Sequence, residues 1–520
     1  MRLKHSFTAL GLAVALAACG GGSDSEPASK SAGSGTVDKT ATMRIGFTAP
    51  PTQLDPHKER PQDRVYLYAM YDRLFSVDAE QKVQPMLATA WKYSADGTQL
   101  EVTLREGVTF SDGAPVDAAA VKASIERGKT LEGSTVTKAL STVKTVEAVD
   151  DKTVRLVLSK ANVSLPAVLA QAPGIVLNPA VMSRADLGRN TEGAGSGPYV
   201  VKAFTPNERV QFAPRPDGHW DPEAGRLAQL EIVSMPQSAT RMNAVRSGDL
   251  ESIYVKQDQA TEATALGDGE AHEFTQYDSL LHYALMLRNT RPALADVRVR
   301  QAIAHAIDKK GISEGLLDGN CVTTSQPWPA SHWAHDEALE DVQAHDVPAA
   351  KALLQQAGAS GLELKVAVNA GLSPQNEILQ VVQSQLQEVG VKVAITPLES
   401  ATALEEFRAG NYDAYLHVIN GEPDPAQLVG NYLTGGYALA GTDSAGLTTV
   451  AEQALAMTDQ DARATAYRQV AQQVSERVWY VPLCFQPAMM LYPGDVIGAD
   501  DLPLAWTGIF DPRHLARSGS

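Results

Sequence analysis

Two carboxylates stand two residues apart in Gly421-Glu422-Pro423-Asp424-Pro425. A pair of acids suits proton transfer or glycoside cleavage, but that chemistry needs the two held at a set separation across a cleft, which neighbours on one loop do not secure. Pro423 and Pro425 each lock φ, so the segment reads as a rigid turn. A rigid turn bearing polar groups also suits binding, because little freedom is lost when a ligand arrives. His332, His335, Asp336 and His345 offer metal-ligand chemistry, yet they lie in a polar stretch with neither helical register nor cysteine, and are expected to be solvated surface side chains. Trp91, Trp220, Trp328, Trp333, Trp479 and Trp506 are each expected to pack rather than to form a ligand platform. No glycine-rich loop follows a strand, and neither a nucleophile elbow nor His-Glu-x-x-His occurs. These residues point to binding without catalysis, and to neither metal nor cofactor.

The elements that must position them are legible from periodicity. Thr42 to Phe47 has a short strand pattern that Pro50 and Pro51 break. Arg64 to Leu74 is helical in composition, with Val65, Leu67, Tyr68 and Tyr71 spaced for one buried face. Leu100, Val102 and Leu104 alternate as a strand, Val116 to Ile125 continues as a helix, and Val143 to Leu158 reads as a hairpin turning at Asp150-Asp151. Two more strand patterns run from Gly195 to Phe212, and another from Leu230 to Val233. Thr240 to Val245 is a short helix ended by Gly248. Asp296 starts a helix whose buried stripe is Val299, Ile303 and Ile307. Between 362 and 395 the pattern is strand, helix, strand: Ser373 as cap, Pro374 at the first position, Ile378, Val382 and Leu386 inside, Gly390 as stop. This βαβ unit predicts a parallel pair with a right-handed crossover. Arg463 to Val474 is a further helix and Tyr480 to Leu483 a strand. The sum is two α/β lobes with a small inserted α+β body, and clefts between lobes are where ligands sit.

The chain opens with Arg2 and Lys4, an apolar run from Phe7, and Leu16-Ala17-Ala18-Cys19, the pattern of a lipoprotein signal cleaved before Cys19. Acylation there supplies the anchor, and more than one chain is what stable anchoring needs. Gly20 to about Lys39 is too polar to fold alone and reads as a tether. No later segment approaches about eighteen uninterrupted apolar residues. The net charge of -17 disfavours nucleic acid and anionic lipid as partners. Beyond Cys19 stand Cys321 and Cys484, either one bridge or two buried thiols.

Several motifs, in order, resemble the family 5 extracellular solute-binding proteins, the dipeptide, oligopeptide and nickel binders of ABC importers. They are Leu54-Asp55-Pro56-His57, Tyr71-Asp72-Arg73-Leu74-Phe75, Leu104-Arg105-Glu106-Gly107-Val108 with Asp112-Gly113, Gly197-Pro198-Tyr199 and Val299-Arg300-Gln301-Ala302. The resemblance implies a two-lobed periplasmic-binding-protein fold (type II, cluster C-like) with an additional α+β subdomain. After the signal peptide at 1-18 and the lipidated tether at 19-39 read above, it implies lobe I from 40-75, 195-275 and 486-520, the extra subdomain at 76-194, and lobe II at 276-485. It also implies a lipid-anchored envelope protein facing the periplasm or exterior, working with an ABC permease and its ATPase subunits, and carrying dipeptides or oligopeptides. A non-peptide solute such as an oligosaccharide or metal-chelator complex is the alternative, and a secreted hydrolase the reading from another class. In peptide-binding relatives an aspartate clamps the ligand ammonium; counting back from Glu422-Pro423 puts Ile419 at that place, and matching Asp424-Pro425 to the same motif puts Gly421 there instead, neither of them charged. Thr52, His417, Asn420, Glu422, Asp424 and Trp506 are the ligand-binding residues implied by approximate family position and side-chain chemistry, with Cys19 for lipidation.

Overall fold

The computed structural model describes residues 36–519 except 80, 422, 423, 440, 442, 443, 500, 501, 503 and 506–508. Seven strands form the sheet of a first lobe, in the order His272–Tyr277, Ala488–Pro493, Ser252–Val255, Thr42–Phe47, Gln229–Ser234, Arg209–Pro214, Tyr199–Thr205. Thr42–Phe47 lies near its middle, parallel to both neighbours, and buries Met43, Ile45 and Phe47. Gly46 admits the next layer: a Cβ there would stand 2.6 Å from Leu250 Cδ1.

The second lobe carries six strands, in the order Val322–Thr323, Tyr480–Phe485, His282–Leu287, Ala414–Ile419, Glu363–Asn369, Lys392–Leu398. The last two are the expected parallel pair, joined by the helix Gln375–Glu388, which buries Ile378, Val382 and Leu386. Apolar layers cover both faces of this sheet, as a parallel core requires. A smaller body pairs Ala88–Tyr93, Gln99–Leu104, Thr153–Leu158 and Val143–Ala148 in one antiparallel sheet. Its helix Ala118–Thr130 starts at Asp117, whose side chain accepts from the Ala120 N–H at 2.8 Å. Among the described residues no helix is long and apolar enough to cross a membrane.

Four local expectations are corrected. The helix expected from Arg64 to Leu74 ends at Met70, and all seven of its residues are buried rather than one face. The chain turns extended at Tyr71 because Asp72 is drawn into a buried set of donors: Arg513 at 2.8 Å, Trp220 at 3.0 Å and His219 at 3.1 Å. Ser373 caps nothing; the Ser373–Pro374 peptide is cis and the helix begins at Gln375. The helix expected over Arg463 to Val474 runs Gln460–Arg477, capped by Asp459 on the Ala462 N–H. His332 is buried, not solvated, with its ring stacked between those of Trp328 and Trp333.

Two short crossings join the lobes, from Tyr277 to His282 and from Phe485 to Ala488. They are tied to each other, Ser279 Oγ donating to the Gln486 carbonyl (2.6 Å) and the Gln486 N–H to the Leu281 carbonyl (2.8 Å). Beside them Cys321 and Cys484 form a disulfide, closing the alternative of two free thiols. The segment leading to Cys321 also meets the first lobe: Gln257 Nε2 donates to the Asn320 carbonyl (3.0 Å), and Thr261 Oγ1 to Asp318 Oδ2 (2.7 Å). Near the C-terminus, Arg513 pairs with Asp511 and Asp72 and donates to the carbonyls of Tyr68 and Tyr71. That buried cluster fastens the chain end to the first lobe.

Candidate functional site

Ligands of open α/β sheets bind outside the carboxyl ends of the parallel strands. In the first lobe this rule selects the segment after Phe47. Its shape is set by three donors: Tyr66 hydroxyl to the Ala49 carbonyl (2.6 Å), Arg60 to the Pro50 carbonyl (2.7 Å) and the Asn207 N–H to the Pro51 carbonyl (2.7 Å). Pro50 and Pro51 have no N–H to offer. The segment therefore has its carbonyls engaged and lacks donors at both prolines, which disfavours pairing an extended peptide by its backbone. Thr52, half-buried, follows directly.

In the second lobe the same rule selects the segment after Ile419, where Asn420 and Gly421 run along the first crossing. Gly421 is required by contact: a Cβ would stand 1.8 Å from Leu280 Cβ. The Asn420 N–H donates to the Tyr432 hydroxyl (2.9 Å), leaving its exposed side chain outward. One turn of strand back, the His417 ring stacks on Tyr415 at 4.8 Å, and its Nε2 lies 3.3 Å from the Tyr437 hydroxyl. Its Nδ1 is buried and has no partner among the described residues. Burial pushes the His417 pKa down to about 4, so the imidazole is neutral at pH 7. Tyr437 in turn stacks on Tyr432 at 4.7 Å and 21°. Tyr432 lies in the π-helical turn Val429–Leu433 that follows the helix Pro425–Leu428. His417, Asn420, Tyr432 and Tyr437 thus make one connected polar and aromatic surface at the strand ends.

Asp424 serves another purpose. It is buried, caps Pro425–Leu428 by accepting from the Ala426 N–H (3.0 Å), and pairs with Arg463. Burial works against the charge of Arg463, but the Asp424 carboxylate outweighs it and raises the guanidinium pKa. An arriving ammonium would have to displace that arginine. Asp424 and Arg463 also line a cavity of about 350 Å³ with Trp333 on one side and Trp91 and Tyr93 of the small body on the other. Glu422, Trp506 and Cys19 lie outside the described residues.

The site residues that sequence reasoning missed are Tyr432 and Tyr437. They sit in Asn431-Tyr432-Leu433-Thr434-Gly435-Gly436-Tyr437, which has no strand or helix period. The available signal was two tyrosines five apart around a Gly-Gly pair, a spacing that lets the chain double back and stack them.

The family model for bacterial extracellular solute-binding proteins, family 5 Middle, matches residues 82–439. The probable D,D-dipeptide-binding periplasmic protein DdpA of Escherichia coli (strain K12) is 28% identical over 462 residues, 84% of this chain and 87% of that protein. The glutathione-binding protein GsiB of Pectobacterium atrosepticum is 25% identical over 379 residues, 71% of each chain. NikA from Brucella suis, solved in complex with Fe(III)-EDTA, superposes with a TM-score of 0.81 at 24% identity, covering 92% of this chain and all of that one. The two lobes and the small α+β body are therefore a type II periplasmic-binding-protein fold, and the chain belongs to the bacterial extracellular solute-binding proteins, family 5.

Proposed function

We propose that the chain is the substrate-binding lipoprotein of an ABC importer for dipeptides or oligopeptides, held to the envelope through acylated Cys19 and facing the periplasm or exterior. It delivers solute to a permease driven by ATPase subunits and performs no catalysis itself. The observation that carries this reading is the pair of lobes joined by two short crossings that are tied to each other. Such lobes exchange between open and closed arrangements, and a ligand touching both favours the closed one. The peptide assignment draws support from the D,D-dipeptide and glutathione named for the relatives.

One observation favours the second reading, a compact non-peptide solute such as an oligosaccharide or metal-chelator complex. The Ala49-Pro50-Pro51 segment is committed internally, Ile419 carries no charge, and Asp424 is paired with Arg463. Calorimetric titration of the chain from Gly20 onward with D-alanyl-D-alanine, L-alanyl-L-alanine and glutathione tests the peptide reading. Saturable one-to-one binding of at least one is expected; binding of ferric EDTA or an oligosaccharide with none of the three transfers the assignment to the second reading.

A further inference from the structure

The turn before Cys321 presents three oxygens to the first lobe, and each is taken by a donor from a different element. Gln257, just after the strand Ser252–Val255, donates to the Asn320 carbonyl at 3.0 Å. Thr261, on the helix Ala260–Gly267, donates to Asp318 Oδ2 at 2.7 Å. Gln276, on the edge strand His272–Tyr277, donates to Asn320 Oδ1 at 2.7 Å. The turn itself is tight: Asp318 and Gly319 both take left-handed φ, +52° and +76°, and the Asn320 N–H closes on the Leu317 carbonyl at 2.8 Å. It is fixed to the second lobe by the Cys321–Cys484 disulfide and by Ser313 Oγ, which donates to the Cys321 carbonyl at 2.6 Å. Gln257 is held from the second lobe a second time, its Oε1 accepting from the Tyr283 hydroxyl at 2.7 Å. In the second-lobe sheet the turn leads into the edge strand Val322–Thr323. The two strands that meet the crossings, Tyr480–Phe485 and His282–Leu287, stand between that edge and Ala414–Ile419, whose end leads into the candidate site. The lobes also touch through the small body, which is fastened to the first lobe by Arg127 on Asp55 (2.7 Å) and by Arg215 on the Thr109 carbonyl (2.7 Å). Its Val163 N–H donates to the Leu455 carbonyl of the second lobe at 2.9 Å, so the lobes stand in a closed arrangement.

We infer that the turn Asp318-Gly319-Asn320 is a strap across the hinge that biases the lobes toward this closed arrangement, acting on the far side of the crossing strands from the candidate site. A rotation about the crossings that parts the site segments moves the turn relative to Gln257, Thr261 and Gln276. Donors already within 3.0 Å of their oxygens leave that motion no slack, so opening breaks these bonds or compresses them. The arrangement in which all three are made is thereby lowered in free energy against the open one. A solute that binds the closed arrangement then meets a larger competent fraction, and its apparent affinity rises by the same factor. The bias belongs to the hinge and holds whichever solute binds.

Hydrogen exchange at the Val163 amide, on the chain from Gly20 onward with no solute added, tests it. That amide reports opening because its bond runs from the small body to the second lobe, and no residue of the strap touches it. Gln257→Ala removes the bond to the Asn320 carbonyl and Thr261→Val the bond to Asp318. Each is expected to quicken exchange at Val163 about fivefold, the factor that one lost hydrogen bond gives, while exchange in the core strand Thr42–Phe47 stays unchanged. Lys310→Ala breaks an exposed pair with Glu314 on the helix Lys309–Leu316 before the turn, and is expected to leave Val163 as it was. No solute enters the measurement, so a failure of the peptides above to bind would overturn the transport reading and not this one. Unchanged or slower exchange at Val163 in either strap variant, or a quickening matched in Thr42–Phe47 or reproduced by Lys310→Ala, overturns the inference.

Discussion

Asp424 and Arg463 show how far one buried pair constrains a binding loop. With side-chain exposures of 4% and 7%, the pair is cut off from water, so removing one charge strands the other. Asp424→Asn keeps an oxygen for the Ala426 N–H but breaks the ion pair, and is expected to cost about 3 kcal/mol, read from the urea midpoint. Three histidines make a second expectation at this scale. Burial pushes His57, His282 and His417 each down to about 4 from 6.5. Between those values the unfolded chain takes up protons that the folded chain refuses, so stability falls as pH drops from about 6.5 to about 4 and is unaffected by these groups above that window. Urea midpoints at pH 7, 5.5 and 4.5 are expected to decline in that order, and His282→Gln to flatten the decline; a level profile contradicts the assignment of buried neutral rings.

At the scale of elements, the post-Ile419 segment is held by its contact with the first crossing. Gly421→Ala drives a methyl group into Leu280 backbone and side chain, and is expected to cost about 1–3 kcal/mol, the range for overpacking, measured by denaturation. Regular elements were legible because period and stop signals agree: Asp296 does accept from the Arg298 N–H at the start of Val297–Ala306, and Gly248 and Gly390 do take positive φ at helix ends. The helix at Arg64 was read too long because nothing local reveals that Asp72 is claimed by Arg513, more than four hundred residues away. His417 and Asn420 were reachable from the resemblance. Tyr432 and Tyr437 were not, since their stacking depends on an irregular turn. The burial of His332 was hidden likewise, because a polar local sequence says nothing of the Tyr467 helix packed over Trp328 and Trp333.

At the scale of the molecule, the disulfide binds the segment clasped by the first lobe to the strand that leads into the second crossing. Cys321→Ser with Cys484→Ser is expected to lower stability by about 2–4 kcal/mol. Hydrogen exchange at 318–322 should quicken more than at Thr42–Phe47, where the bonds to Asn320 and Asp318 play no part. Binding of a solute without chemical change is the central claim, and native mass spectrometry of the chain from Gly20 onward, purified without denaturant and mixed with D-alanyl-D-alanine, L-alanyl-L-alanine, glutathione and ferric EDTA, tests it most directly. One solute bound per chain, released at unaltered mass on denaturation, is the expected result; a chain that retains none of them, or that releases a cleaved product, contradicts it.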